Sequence, residues 1–128
     1  MKRIFVINPG CTSTKVAVYE DETAVWTSDG LHAPEDIEKF TTVAEQYEYR
    51  KDFILNLLKE AGIPLQFDAV IGRGGLLKPL HGGVYAVNEQ MKYDLNHAKH
   101  QHVCNLGCLI ADEIARQCHC PAFMADPV

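Results

Sequence analysis

Asn8-Pro9-Gly10-Cys11-Thr12-Ser13-Thr14-Lys15 stands between two short apolar runs, Ile4-Phe5-Val6-Ile7 and Val16-Ala17-Val18-Tyr19. Both runs read as β-strands, so the eight residues form the tip of an N-terminal hairpin. A tip that only turns the chain needs two residues of the Asn-Gly type. This one offers three hydroxyls, a carboxamide, a glycine and a lysine, which are groups that hold phosphate oxygens and a hydrated metal ion. Gly10 lets backbone N–H groups approach a ligand and allows positive φ. Thr12, Ser13 and Thr14 can donate to anionic oxygens, and Lys15 supplies a point charge on a flexible stem. The Asn8 carbonyl oxygen suits Mg²⁺, which keeps most of its waters. The stretch is not a Walker A loop, because no glycine immediately precedes the lysine.

Composition bounds what surrounds this hairpin. The chain has 128 residues, enough for one domain with a real core. Hydrophobic residues make up 47% and charged residues 23%, ordinary values for a globular protein. A net charge of −5 without a basic stripe argues against nucleic acid as a partner. No apolar run approaches the roughly 20 residues that span a membrane, and the N-terminus lacks a signal-peptide core. Five cysteines, an odd number, read as reduced thiols, and a cytoplasmic location is expected.

Farther along, Ala24–Ser28 reads as a third strand, joined through Asp21-Glu22. Pro34 opens a short helical piece that ends near Phe40. A long helix follows, with Val43, Tyr47, Arg50, Ile54, Leu57, Leu58 and Ala61 on one stripe at spacings of three and four. Gly62, with Pro64 beyond it, stops that helix. Phe67–Ile71 is a fourth strand that runs into Gly72-Arg73-Gly74-Gly75, and Val84–Val87 is a short extended piece. Asn88 caps a predicted helix carrying Met91 and Leu95, and another carries Leu106, Leu109, Ile110 and Ile114. Pro121–Ala125 is a last strand, followed at once by Asp126. A meander followed by strand–helix alternation predicts an α/β fold, a mixed sheet flanked by helices. Carboxylates at strand ends face the ligand crevice of such sheets. A closing element is expected after Asp126, so the chain reads as the front part of something longer.

These segments, taken in order, resemble a known family. The hairpin tip is similar to the first phosphate loop of the acetate and sugar kinase, heat-shock and actin superfamily. Within it the closest likeness is to the butyrate kinases, and more loosely to acetate kinases. Gln46–Lys51, Ile71–Pro79, Gly82–Asn88, His102-x-x-Asn105-Leu106-Gly107 and Ala122–Val128 agree at sensible separations. The resemblance implies a ribonuclease-H-like (actin-like ATPase) domain with a mixed five-stranded sheet flanked by helices. Residues 1–128 would be the N-terminal domain of a two-domain acyl kinase, without its C-terminal nucleotide-binding domain.

The implied activity is transfer of the ATP γ-phosphoryl group to a short-chain carboxylate, butyrate to butyryl phosphate with release of ADP. ATP/ADP and Mg²⁺ are the implied cofactors. The resemblance places Asn8 near the metal and the transferring phosphate, and Gly10, Thr12, Ser13 and Lys15 on the phosphate loop. It gives Arg73 the substrate carboxylate and transferring phosphoryl, His102 a place in the cleft, and Asp126 the orientation of magnesium. Asn8 and Asp126 are thus the implied metal residues, and a homo-oligomer is a possible assembly. Cys11 departs from the usual serine, and His81 stands where proline is expected. The family's second half is not among these residues, so no turnover is expected from them alone.

Two other readings come from the same sequence. His97, His100, His102, Cys104 and Cys108 lie close together, and Cys118-His119-Cys120 follows. Zinc takes such ligands, although no CxxC pair is present. The second alternative is a non-catalytic phosphate- or nucleotide-binding module of the same fold. Arg73 among glycines and the Asn105-Leu106-Gly107 run favour the carboxylate kinase. A sugar kinase would place an aspartate base near its substrate hydroxyl.

Overall fold

The computed structural model describes residues 2–10, 13–40, 45–73, 84–86 and 105–125. β1 (Arg3–Pro9), β2 (Ser13–Glu20) and β3 (Thr23–Leu31) form an antiparallel meander. Two helices follow, α1 (Pro34–Glu38) and α2 (Gln46–Glu60), and lead into β4 (Ala69–Arg73). The remaining described elements are β5 (Val84–Ala86), α3 (Asn105–Cys118) and β6 (Ala122–Ala125). The sheet order is β3-β2-β1-β4-β6-β5, with β1, β4 and β6 mutually parallel and β5 antiparallel to β6. The expected mixed sheet is present. It carries a sixth strand, the three residues of β5 at one edge, beyond the five expected. The predicted helix after Asn88 lies outside the described residues.

Period-two alternation divides the sheet into two unlike faces. Phe5, Ile7, Val16, Val18 and Val70 are buried on one face, where they join Ile54 and Leu58 of α2 and Leu106, Ile110 and Ile114 of α3 in one core. The core face of α2 repeats every fourth residue, Gln46, Arg50, Ile54 and Leu58, and its first two members are polar. Ile4, Val6, Asn8, Ala17 and Ile71 take the opposite face and are only half-buried. Among the described residues no helix is long and apolar enough to cross a membrane.

Both long helices end in the same way. Gly62 is left-handed (φ 71), its N–H bonds to the Lys59 carbonyl, and the Ile63 N–H reaches back to Leu58. That is a Schellman cap, and it is the stop expected from Gly62 and Pro64. At α3 the left-handed position is His119 (φ 56), with Cys120 N–H bonded to Ala115. A side chain there costs roughly 1 kcal/mol that glycine avoids. His119→Gly is therefore expected to raise the thermal midpoint by about 2–5 °C; an unchanged or lower midpoint in a melting scan would sink this assignment.

Candidate active site

β1 and β2 pair beyond the runs that the sequence suggested, with Asn8 opposite Lys15 and Pro9 opposite Thr14. The turn itself is short, and the Gly10 N–H donates to the Ser13 carbonyl at 2.7 Å. Because Ser13, Thr14 and Lys15 are strand residues, alternation sends Thr14 to one face and Ser13 and Lys15 to the other. Thr14 is fully buried on the helix-covered face, whereas Lys15 is exposed on the open face beside half-buried Asn8. The Thr14 hydroxyl and the Lys15 ammonium therefore do not converge on one point. Gly10 also differs from expectation, since Gly62 alone among the described glycines has positive φ. Its value is room: a Cβ there would meet Ser13 Oγ at 3.2 Å.

The open face holds a shallow depression of about 190 Å³, lined by Val6, Asn8, Lys15, Ala17, Thr27 and Asp29. That volume takes a phosphoryl group and its waters, but ligand sites for a whole nucleotide are larger. Lys15 pairs in register with Asp29 on β3 as well as with Asn8 on β1. Asn8 offers a neutral, half-buried oxygen in this row, a donor type that fits a water-shelled Mg²⁺.

The three parallel strands end together. Gly72 stands opposite Ile7, so Arg73 is one position farther along β4, level with the end of β1. Arg73 itself pairs with Ala125, the residue before Asp126. In parallel sheets this carboxyl end is where ligands bind. Thus Asn8, Lys15 and the backbone of Arg73 come to one end of the sheet, with Gly10 and Ser13 at the hairpin tip beside them. Thr12, His102 and Asp126 lie outside the described residues, as do Cys11 and His81.

Beneath the tip lies a polar cluster that the sequence reading did not assign to chemistry. Arg50 is fully buried; its Nε donates to Gln46 Oε1 at 2.9 Å, and its Nη1 donates to the Ser13 carbonyl (3.0 Å) and Thr14 Oγ1 (3.2 Å). Thr14 Oγ1 is 2.7 Å from His32 Nε2, and His32 Nδ1 is 3.2 Å from the Tyr49 hydroxyl. The arrangement that uses each group once has Thr14 donating to Nε2 and the ring proton on Nδ1 directed at Tyr49. Phe53 closes the cluster with its ring 4.5 Å from that of His32. One signal for it was available: Arg50 sits four residues before Ile54 on an otherwise apolar stripe. His32 gave none, because its partners are 18 and 17 residues away in sequence.

Burial, then the nearby Arg50 charge, pushes the His32 pKa below its usual value, with Asp36 opposing. The unfolded ring takes a proton more readily, so the neutral ring contributes stability above about pH 6.5 that is lost as pH falls through the lower folded pKa. Thermal midpoints should decline between pH 7 and pH 5, and His32→Gln should flatten that decline while lowering the midpoint at pH 7. An undiminished slope in the variant would place the titration elsewhere.

Of the possible zinc ligands, His97, His100, His102 and Cys104 lie outside the described residues. Cys118 and Cys120 hydrogen-bond to each other, and burial raises both thiols, Cys120 to about 11. No group of three or more metal-ligating side chains is found among the described residues.

The fold is the ribonuclease-H-like one, shared with an acetate kinase and an exopolyphosphatase of known structure. Acetate kinase from Entamoeba histolytica superposes with a TM-score of 0.57 at 13% identity, over 96% of this chain and 35% of its own. An exopolyphosphatase from Cytophaga hutchinsonii gives 0.54 at 8% identity, over 98% and 53%. By sequence the chain is homologous to butyrate kinases along essentially its whole length. It is 66% identical over 125 residues to a "Probable butyrate kinase" of Phocaeicola vulgatus, covering 98% of this chain and 35% of the relative. It is 48% identical over 130 residues to "Butyrate kinase 1" of Clostridium acetobutylicum, covering 100% and 37%. The chain thus spans about a third of the length of these relatives. No protein-family model matches it.

Proposed function

We propose that this chain carries the carboxylate- and phosphate-facing part of a two-domain kinase that transfers the ATP γ-phosphoryl group to butyrate or a similar short-chain carboxylate. What carries this reading is the 66% identity to a protein named a probable butyrate kinase, extending through the sheet end where Asn8, Lys15 and Arg73 meet. The substrate carboxylate is ionised at neutral pH, far above its pKa, and needs no general base. The protein's task is to bring two anions together and to hold attacking and leaving oxygens in line. Arg73 suits this as a planar fork that can engage carboxylate and phosphoryl oxygens together. Lys15 and the tip residues Gly10, Thr12 and Ser13 would hold phosphate oxygens from the hairpin side. Asn8 and Asp126 would hold Mg²⁺, which neutralises phosphate charge when bound, and His102 would line the same cleft. The adenosine part of ATP would be held by the rest of the protein, so residues 1–128 alone are expected to be inactive.

Trapping acyl phosphate with hydroxylamine tests the reading. The whole protein, supplied with MgATP, should give butyryl hydroxamate, and the 128-residue chain should give none. Absence of hydroxamate with butyrate, propionate and acetate would favour a non-catalytic phosphate-binding module instead.

A further inference from the structure

We propose that Arg50 is a positioning residue for the phosphate-binding hairpin, gripping the tip from the buried side so that its outer side presents a fixed surface to phosphate; the inference rests on the carboxylate-kinase reading. The Ser13 carbonyl receives two donors, the Gly10 N–H across the tip and the Arg50 guanidinium from below. The same Nη1 reaches Thr14 Oγ1, so consecutive residues of β2 are tied to one planar group. Gln46 fixes the guanidinium from one turn earlier in α2, and His32 holds Thr14 from β3's end. Three elements of the fold therefore meet at the base of the tip.

Stability alone gives little reason for this arrangement. A guanidinium taken wholly out of water costs several kcal/mol that its bonds only offset, and an apolar side chain of similar volume often serves a core as well. What an apolar residue would not do is hold the Ser13 carbonyl and the Thr14 hydroxyl at once. Lys15 follows Thr14 directly and projects from the other face, so a shift of the β2 backbone at Thr14 moves the Lys15 charge with it. Transfer chemistry is sensitive to such shifts, and misplacement by 1 Å can cost on the order of 100-fold in rate.

The test uses the whole protein and four variants: Thr14→Val, Thr14→Ser, Arg50→Met and Arg50→Lys. Thr14→Val keeps the branched shape in the strand and deletes the hydroxyl that joins Arg50 and His32; Thr14→Ser keeps that hydroxyl. Affinity for inorganic tripolyphosphate, measured by calorimetry, should fall about tenfold in Thr14→Val and recover in Thr14→Ser. With butyrate and MgATP, kcat should fall by about 100-fold in Arg50→Met and less in Arg50→Lys, with KM for butyrate unchanged. A role confined to folding would lower the melting point without this split between kcat and KM, and without rescue by serine. Folded Thr14→Val protein with wild-type tripolyphosphate affinity and kcat would overturn the inference, even if Arg50→Met failed to fold. A wild-type protein that forms no acyl phosphate, yet loses tripolyphosphate affinity in Thr14→Val, would sink the kinase reading and leave the positioning role standing.

Discussion

Arg73→Leu in the whole protein is expected to lower kcat for acyl-phosphate formation by about 10³-fold or more. Arginines that stabilise the spread charge of a transferring phosphoryl group contribute on the order of 10³–10⁵ in rate. Arg73 is the last residue of β4, at the carboxyl end of the parallel strands, paired with the residue that precedes Asp126. On the proposed carboxylate-kinase reading, a group at that position would face repulsion between two anions, which a planar fork engages more effectively than a point charge. Arg73→Lys should therefore recover only a small part of the lost rate. Steady-state kinetics on folded variants would check this. A loss smaller than tenfold would remove Arg73 from the reacting centre and shift the burden to Lys15.

The second large effect is on stability. Gly30→Ala should cost about 1–3 kcal/mol, the usual range for forcing a methyl group into a filled core. Its Cβ would overlap Phe53 Cε1 and would lie 3.0 Å from both Phe53 Cζ and the Thr14 carbonyl oxygen. Gly30 pairs with Thr14, so the strand backbone cannot back away without disturbing the tip. Phe53 cannot swing freely either, because its ring packs edge-on against His32. The smaller unfolded-state entropy of alanine returns only about 0.4–1 kcal/mol. The expected result is a thermal midpoint lower by about 5–10 °C. Phe53→Leu combined with Gly30→Ala should restore part of it, because residues in contact are not additive. A midpoint unchanged by Gly30→Ala would show that the core above Thr14 is looser than these contacts require.

Gly30 also shows where the sequence was hard to read. Ser28-Asp29-Gly30 has the composition of a turn, and local reasoning ended the third strand at Ser28. Pairing with Ser13–Val16 carries the strand to Leu31, since tertiary hydrogen bonds override local preference there. The opposite holds for α2 and α3, whose apolar periodicity and Gly62-Pro64 stop were legible because those signals are local. The hairpin was legible too, but not which side chain takes which face. That depends on whether the strands continue to Pro9 and Ser13, and the three residues added at the start of β2 place Thr14 inward and Lys15 outward. The Thr14–His32–Arg50 cluster could not be read at all as a unit, since it is assembled from β2, the end of β3 and α2. Arg50 alone left a trace, a charge on an apolar stripe.

Isotope transfer tests the central claim most directly. The whole protein would be incubated with MgATP and butyrate carrying ¹⁸O in both carboxylate oxygens, and the acyl phosphate cleaved at carbon with hydroxylamine. If the carboxylate oxygen attacks the γ-phosphorus, the phosphate released holds one ¹⁸O, seen as an isotope shift in its ³¹P resonance. Butyryl hydroxamate accompanied by singly labelled phosphate is the predicted result. Unlabelled phosphate, or ATP consumed with no hydroxamate formed, would contradict it.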